Sequence, residues 1–513
     1  MVREDPPVRP APGPGWFRRQ VEDHLLPRLQ ARGLVMHSVV VVHAGELQHE
    51  TYWRPYGPDR PHRLYSAGKS LVALAVGVLL DDGALSLDDR IIDHFPEHAD
   101  GAHPWIRAME VQDLLTMRTA HGQSTYTQVA DADWVRTFFT VAPTRPPGAV
   151  FAYDTSATLV LTALVERLTG LPFEEFFAAR IGRPLGMGPL RALRSPLGLP
   201  EEAFAGRPTW REVVENPGGV AHGGSGLFAA PRDLARIAQL CLQRGRWGDE
   251  QLVSAEFLQA ATAVQTPTVT GGFVHPEAQW GYGYQIWRCR RESYAAWGMG
   301  GQIMLVVPWL DAAVVVTGDN QHLESDAQLL HDALWSELLE PLAAWTRSGR
   351  SPEPESPPEL EPEPVRTRGL TPVAGVALPA SAPRDAESFR VRVRLEGASS
   401  AEFDSLELTC GTDGGELLLT TADGDRRVFP YRVGGHREHP LPGYGYETHT
   451  SAAWQGNAFF LHAHVVGDWL AQLQVLVQLA ADADGAPDVV CRMQASAEHF
   501  AQEYEGLLIG RKD

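Results

Sequence analysis

A chain of 513 residues that is 44% apolar and 21% charged has the make-up of a globular protein with room for more than one domain. Its 64 acidic and 44 basic residues leave a formal charge of −20, which offers no basic field to draw in nucleic acid or an anionic membrane. No segment has the roughly 18 consecutive apolar residues of a membrane helix. Met1 to Trp16, charged and rich in proline, is not a signal sequence, so a cytoplasmic protein is expected. Scarce lysine and asparagine beside abundant Ala, Gly, Pro and Arg point to a GC-rich bacterial genome.

In chain order, an amphipathic helix is predicted over Trp16 to Ala31. A hairpin follows, with Ser38 to Val42, a turn at Ala44-Gly45, and Leu47 to Trp53. Leu71 to Leu80 is apolar on every side, the pattern of a helix in the middle of a domain, and Asp81-Asp82-Gly83 is a good stop. Helix-rich sequence continues to about Ala263. Strands are predicted at Gly283 to Cys289, Gln302 to Val307 and Ala312 to Thr317, and a helix over Ser325 to Trp345 closes the region.

Alternating Pro and Glu from Ser351 to Pro364 build neither helix nor core, so residues 351–366 are expected to be a linker. Beyond it, from 367 to 513, Phe389 to Leu395, Leu406 to Thr409, Leu417 to Thr421 and Phe459 to Val465 alternate as half-buried strands. Asp413-Gly414 and Asp423-Gly424 supply turns, which describes an antiparallel β-sandwich or β-barrel. Cys241, Cys289, Cys410 and Cys491 are scattered and are expected to be free core thiols. His462 and His464 share a strand face, with His436 and His439 nearby, but no carboxylate stands at ligand spacing; no metal and no cofactor are expected.

The chain has only two lysines, Lys69 and Lys512. Elsewhere it uses arginine, which stays protonated at any working pH, whereas a desolvated lysine amine can serve as a base. Lys69 lies three residues after Ser66, where the apolar helix begins. Residues i and i+3 share a helix face, so hydroxyl and amine can meet at a helix start that favours developing negative charge. A serine, an adjacent base and an anion-stabilising end are the needs of an activated nucleophile. A capping serine followed by a solvated lysine is the bland alternative.

Leu64-Tyr65-Ser66-Ala67-Gly68-Lys69 resembles the opening motif of the serine β-lactamases and penicillin-binding proteins, in the class C-related branch. Val111 to Met117, Pro147-Gly148-Ala149-Val150-Phe151-Ala152-Tyr153, and Gly223 to Leu227 with Arg232-Asp233-Leu234 resemble further segments of that family in the same order. The resemblance covers about residues 20 to 345. It implies an α/β (α+β) domain over residues 1–350, an antiparallel sheet flanked by terminal helices with an all-α region, ahead of the all-β domain. It also makes Tyr153 the second catalytic base.

Two departures from the family pattern bear on substrate. Tyr153-Asp154-Thr155 stands where the family commonly has Tyr-x-Asn, so Thr155 brings only a hydroxyl and Asp154 adds a charge. Trp297-Gly298-Met299-Gly300-Gly301-Gln302 replaces Lys-Thr-Gly and is similar to the variant of β-lactamase-like carboxylesterases. Glycines there let the backbone approach the acyl group, and an N–H of this stretch with that of Ser66 would form the oxyanion hole. A plain turn or bulge would use Gly298 and Gly300 equally well.

With no cation in the third motif to hold a substrate carboxylate, the expected substrates are small esters or amides, attacked by Ser66 with Lys69 and Tyr153 as general bases. Trp297, Gly298, Gly300, Gly301, Gln302 and Thr155 would line the site. β-Lactamase, D-amino-acid peptidase or acyl-transferase activity is the alternative on the same fold, and a non-catalytic scaffold or sensor is a third. Retention of Lys69 in so lysine-poor a chain argues against the scaffold.

Overall fold

Val39 to Val42 is apolar at every position because the strand that carries it, Met36–His43, is buried on both faces. The computed structural model describes residues 12–129, 131, 133–194, 219–269, 275–323, 325–348, 365–383, 385–396, 403–480, 488–497 and 500–512. Seven strands form the sheet of the first unit: β1 (Met36–His43), β2 (Glu46–Trp53), β3 (Trp287–Arg288), β4 (Tyr294–Gly298), β5 (Gln302–Val307), β6 (Ala312–Gly318) and β7 (Arg366–Arg368). Their order is β7-β2-β1-β6-β5-β4-β3. All neighbours are antiparallel except β7, which runs parallel to β2.

Alternate residues serve two cores. Val39, Val41, Leu305 and Val316 pack with Phe17, Val21 and Leu25 from the N-terminal helical run and Leu330, Leu334 and Leu338 from the C-terminal one. Val40, Val42, Met304 and Val315 pack instead with the helical region. At the heart of that region lies α1 (Gly68–Asp81), buried from Gly68 through Leu79, which explains why its sequence shows no polar face. It is joined by α2 (Thr155–Thr169) and α3 (Pro231–Leu242), and α4 (Asp326–Leu334) belongs to the closing helical run.

The predicted N-terminal helix is a continuous run from Pro14 to Ala31 whose middle turn, Gln20–Leu25, is π-helical. The predicted strand Gly283 to Cys289 shrinks to β3, because Gln285 adopts a left-handed φ of 55°. Gln285 is a buried hub instead. Its N–H donates to Leu115 O (2.9 Å) and its amide to Leu114 O (2.8 Å). It accepts from Ser70 Oγ of α1 and Thr158 Oγ1 of α2, both at 2.7 Å.

The chain divides into two units, Met1–Arg368 and Gly369–Asp513. Most of the expected linker lies outside the described residues. Thr367 and Arg368 belong to the first unit through the pairing of β7 with β2. Arg368 also bonds Glu22. Burial opposes ionisation of Glu22, yet hydrogen bonds from His49, Thr51 and Arg368 hold its carboxyl down to about 2.

The second unit is a meander of ten strands from Phe389–Glu396 to Gly506–Lys512. Neighbours along the sheet are antiparallel, and Arg426–Arg432 also meets Glu447–Gln455 in a short parallel pairing that closes the sheet into a barrel. Leu406, Leu408, Leu417, Leu419, Phe429, Trp454 and Phe459 are buried, each alternating with a more exposed neighbour. All four cysteines are free and buried. Among the described residues no helix is long and apolar enough to cross a membrane.

Candidate active site

Ser66 sits in the 3₁₀ turn Tyr65–Ala67 that feeds α1. Tyr65, immediately before it, is held at φ 47°, a left-handed conformation that is strained for an aromatic residue. The turn is clamped from beneath. The Arg63 guanidinium lies 4.2 Å over the Tyr65 ring, and Arg63 Nε donates to Ser225 O at 3.1 Å. Gly68 must be glycine, since an added Cβ would stand 2.9 Å from Gly223 O. Ser66 is partly exposed while its neighbours Tyr65 and Ala67 are buried. It does not cap α1: the N-cap is Ala67, with no side-chain hydrogen bond.

The Ser66 hydroxyl is instead engaged by the two other expected groups. Lys69 Nζ lies 3.0 Å from Ser66 Oγ, one helical turn on, and donates to Gly224 O at 2.6 Å. The carbonyl can only accept, so it fixes one amine proton and turns the remaining positions toward Ser66 and Tyr153. The amine stands 4.9 Å from the Tyr153 ring centroid, and Lys69 as a whole is 1% exposed, so bulk water does not compete for it. Tyr153 shares a hydrogen bond with Ser66; burial pushes its phenol well above the usual range, against the hydrogen bonds to Ser66 and Trp287. The phenol is therefore protonated at rest.

The residues after Tyr153 divide their roles differently from the sequence expectation. Asp154 adds no charge to the cleft. It is the N-cap of α2, fully buried, accepting from Ser156 N (2.9 Å) and Thr119 Oγ1 (3.1 Å). Burial raises its carboxyl pKa, partly offset by Ser156, His121 and Thr119. Thr155 donates its N–H to Ser124 Oγ (2.9 Å), and its methyl comes within 2.5 Å of where a Cβ on Gly224 would stand. It shapes the wall that carries the Gly224 carbonyl.

The third motif lies at the end of the β4–β5 hairpin. An added Cβ on Gly298 would sit 2.2 Å from Leu64 O and 3.0 Å from Ala67 N, so this glycine lets β4 press against the Ser66 turn. Gly300 (φ 76°) and Gly301 (φ 89°) make the hairpin turn. Gly300 O accepts from Asn320 N (3.1 Å) and Nδ2 (3.0 Å), while the Gly300 N–H bonds the Asp326 carboxyl. Burial pushes that carboxyl up to about 6. Gln302 faces away: its amide donates to Met299 O (2.9 Å) and Gly318 O (2.8 Å), so its side chain braces the hairpin. Gly298→Ala is expected to cost about 1–3 kcal/mol of stability, because the opposing atoms are backbone and cannot yield. It should also slow turnover by displacing Ser66. Thermal unfolding and esterase assays on one sample check both effects.

Aromatic rings floor the site. Trp287 stacks on Tyr153 (5.6 Å between centroids, 18° between planes), Tyr282 meets it edge-on at 6.3 Å, and Trp297 packs on Trp287 at 5.4 Å. Trp280 is exposed, and Tyr284 accepts from Gln112. His222 is buried against Tyr126 and Trp134. In the barrel, His462 bonds Gln472 (2.8 Å) and lies against His464. Sequence reasoning missed Ser124, Asn320 and the Gly224 carbonyl. Ser124 acts through one hydrogen bond from the distant Thr155 N–H and Asn320 through two to Gly300 O, which no spacing rule announces, and the third is backbone.

The family described as Beta-lactamase matches residues 19–339 of the chain. The 6-aminohexanoate-dimer hydrolase of Paenarthrobacter ureafaciens is 24% identical over 298 residues, 54% of this chain and 71% of that protein. Esterase EstB of Burkholderia gladioli is 27% identical over 268 residues, 45% of this chain and 67% of its own. Penicillin-binding protein 4 of Amycolatopsis lactamdurans is 26% identical over 344 residues, covering 60% and 82%. Among solved structures, a putative beta-lactamase from Bacteroides dorei shares the fold, with TM-score 0.50, 17% identity, and 62% of this chain and 98% of that chain covered.

Proposed function

This chain belongs to the beta-lactamase family and is a serine hydrolase of that family, and from that premise we propose that it forms an acyl-enzyme on Ser66 with small esters or neutral amides. The observation that carries the reading is the contact of one partly exposed hydroxyl, Ser66, with both the buried Lys69 amine and the Tyr153 phenol. Ser66 Oγ attacks the acyl carbonyl as its proton passes to Lys69 Nζ. The carbonyl oxygen becomes an oxyanion held by the Ser66 N–H and an N–H of the Trp297–Gly301 turn. Tyr153, protonated at rest, gives its proton to the leaving oxygen or nitrogen and recovers one from the Lys69 ammonium. Water then attacks the acyl-enzyme, its proton taken back through the same pair, and Ser66 is released.

Substrate class follows from what faces the cleft. The third motif has no lysine, arginine or histidine, and Thr155 supports the wall in place of an asparagine amide. Nothing in these two motifs pairs with a carboxylate, while the aromatic floor favours an apolar acyl group. The names of two relatives, an esterase and a 6-aminohexanoate-dimer hydrolase, support a hydrolase of small acyl compounds. Comparing p-nitrophenyl butyrate with nitrocefin tests the reading. The ester should lead by at least about tenfold in kcat/KM, which is about 1.4 kcal/mol in transition-state binding. Faster nitrocefin turnover would make β-lactam hydrolysis the better assignment.

A further inference from the structure

Behind the third motif, three elements bring a carboxylate, a thiol and an imidazole together away from the Ser66 hydroxyl. Glu277 comes from the 3₁₀ turn Pro276–Gln279, Cys289 directly follows β3, and His331 lies on α4. Their exposures are 0%, 2% and 0%, and one donor atom from each lies within 4.8 Å of the other two. Both ring nitrogens of His331 are buried without a hydrogen-bond partner, and Nδ1 stands 4.0 Å from Glu277 Oε1. A fully buried imidazole with neither nitrogen satisfied is uncommon in a folded protein and calls for a partner. We propose that Glu277, Cys289 and His331 form a structural site for a divalent zinc-class ion.

The donor set suits that class of ion: thiolate, imidazole and carboxylate together select zinc over magnesium or calcium. Zinc–ligand bonds of about 2.0–2.3 Å draw tetrahedral donors in by roughly an ångström from the spacing seen here. Burial pushes the Cys289 thiol well up, so it carries its proton until the metal arrives, and loading releases that proton to solvent. Burial likewise holds His331 down to about 4, so the imidazole is neutral and ready to ligate. Glu277 is oriented by its neighbours: Arg290 N donates to Oε1 at 2.8 Å and Arg290 Nε to Oε2 at 2.5 Å. Arg290 is held in turn by Asp332 Oδ1 at 2.7 Å. Two donors leave lone pairs on a carboxylate, so this bracing is compatible with ligation.

The site would stiffen the cleft from behind. The His331 ring meets Trp297 edge-on at 5.5 Å, and Cys289 lies two residues from Trp287, which stacks on Tyr153. The test uses the full chain, stripped with a chelator and titrated with Zn²⁺ or Co²⁺. Wild type should take up one Zn²⁺ per chain and unfold at a higher temperature with it. The Co²⁺ form should show the near-ultraviolet thiolate-to-metal charge-transfer band. Cys289→Ser should lose that band, and both it and His331→Gln should bind Zn²⁺ at least about tenfold more weakly. Cys241→Ser, at a buried cysteine outside the cluster, should change neither readout. If a variant fails to fold, uptake and the Co²⁺ band of wild type still decide. No stoichiometric uptake by wild type, Co²⁺ binding without the band, or a band that survives Cys289→Ser overturns the proposal. None of these outcomes bears on Ser66 chemistry, so the metal site and the hydrolase reading stand or fall separately.

Discussion

Ser66→Ala is expected to abolish ester hydrolysis, lowering kcat by on the order of 10⁶-fold, as removal of a nucleophile does in a serine hydrolase. Stability should hardly change. Ser66 makes no cap to α1, and its hydroxyl bonds serve Lys69 and Tyr153 within the site. Loss of one partly exposed hydroxyl outside a packed core typically costs about 0.5 kcal/mol or less. The combination separates catalysis from structure: steady-state rates with p-nitrophenyl acetate and butyrate should collapse while the thermal midpoint stays. Turnover near wild type in a folded variant would place the nucleophile elsewhere.

Lys69→Arg carries the second large effect. Arginine keeps the positive charge but cannot give it up at any working pH, so it cannot take the Ser66 proton. A general base in this position contributes about 10²–10⁴-fold, and the loss in kcat should fall in that range. The planar fork must also fit where a single amine now reaches both Gly224 O at 2.6 Å and Ser66 Oγ at 3.0 Å. Lys69→Met, uncharged and of similar length, serves as the companion. If proton transfer is the role, both variants are slow; if charge alone mattered, arginine would retain most of the activity and methionine would not.

Much of this site was legible in the sequence because its key spacing is local. Ser66 and Lys69 lie one turn apart on an apolar helix, so a single periodicity argument places hydroxyl and amine together. Tyr153 was reached only through the family resemblance, since nothing local distinguishes it from a core aromatic. The two-sided burial of β1 and α1 was readable because each is apolar throughout. The stretch Gly283 to Cys289 read as a strand because Tyr284, Ile286 and Trp287 are bulky and apolar. Gln285 overrides that pattern with four long-range hydrogen bonds. β7 is three residues long and begins with a pairing across the sheet to Thr51, so no alternation marks it. Asp154 was read as cleft charge because adjacency to Tyr153 says nothing of direction; the helix start that follows turns it inward. Glu277, Cys289 and His331 are separated by 11 and 41 intervening residues, and only the fold brings them together.

The most direct test of the acyl-enzyme account is to find the acylated atom. Trypsin cuts after Arg63 and Lys69, releasing Leu64–Lys69, a peptide with a single serine. After incubation with a fluorophosphonate probe, mass spectrometry should find the adduct on that peptide in wild type and nowhere on Ser66→Ala. An adduct on another serine with Leu64–Lys69 unmodified, or ester turnover by a chain that no such probe labels, would contradict the account.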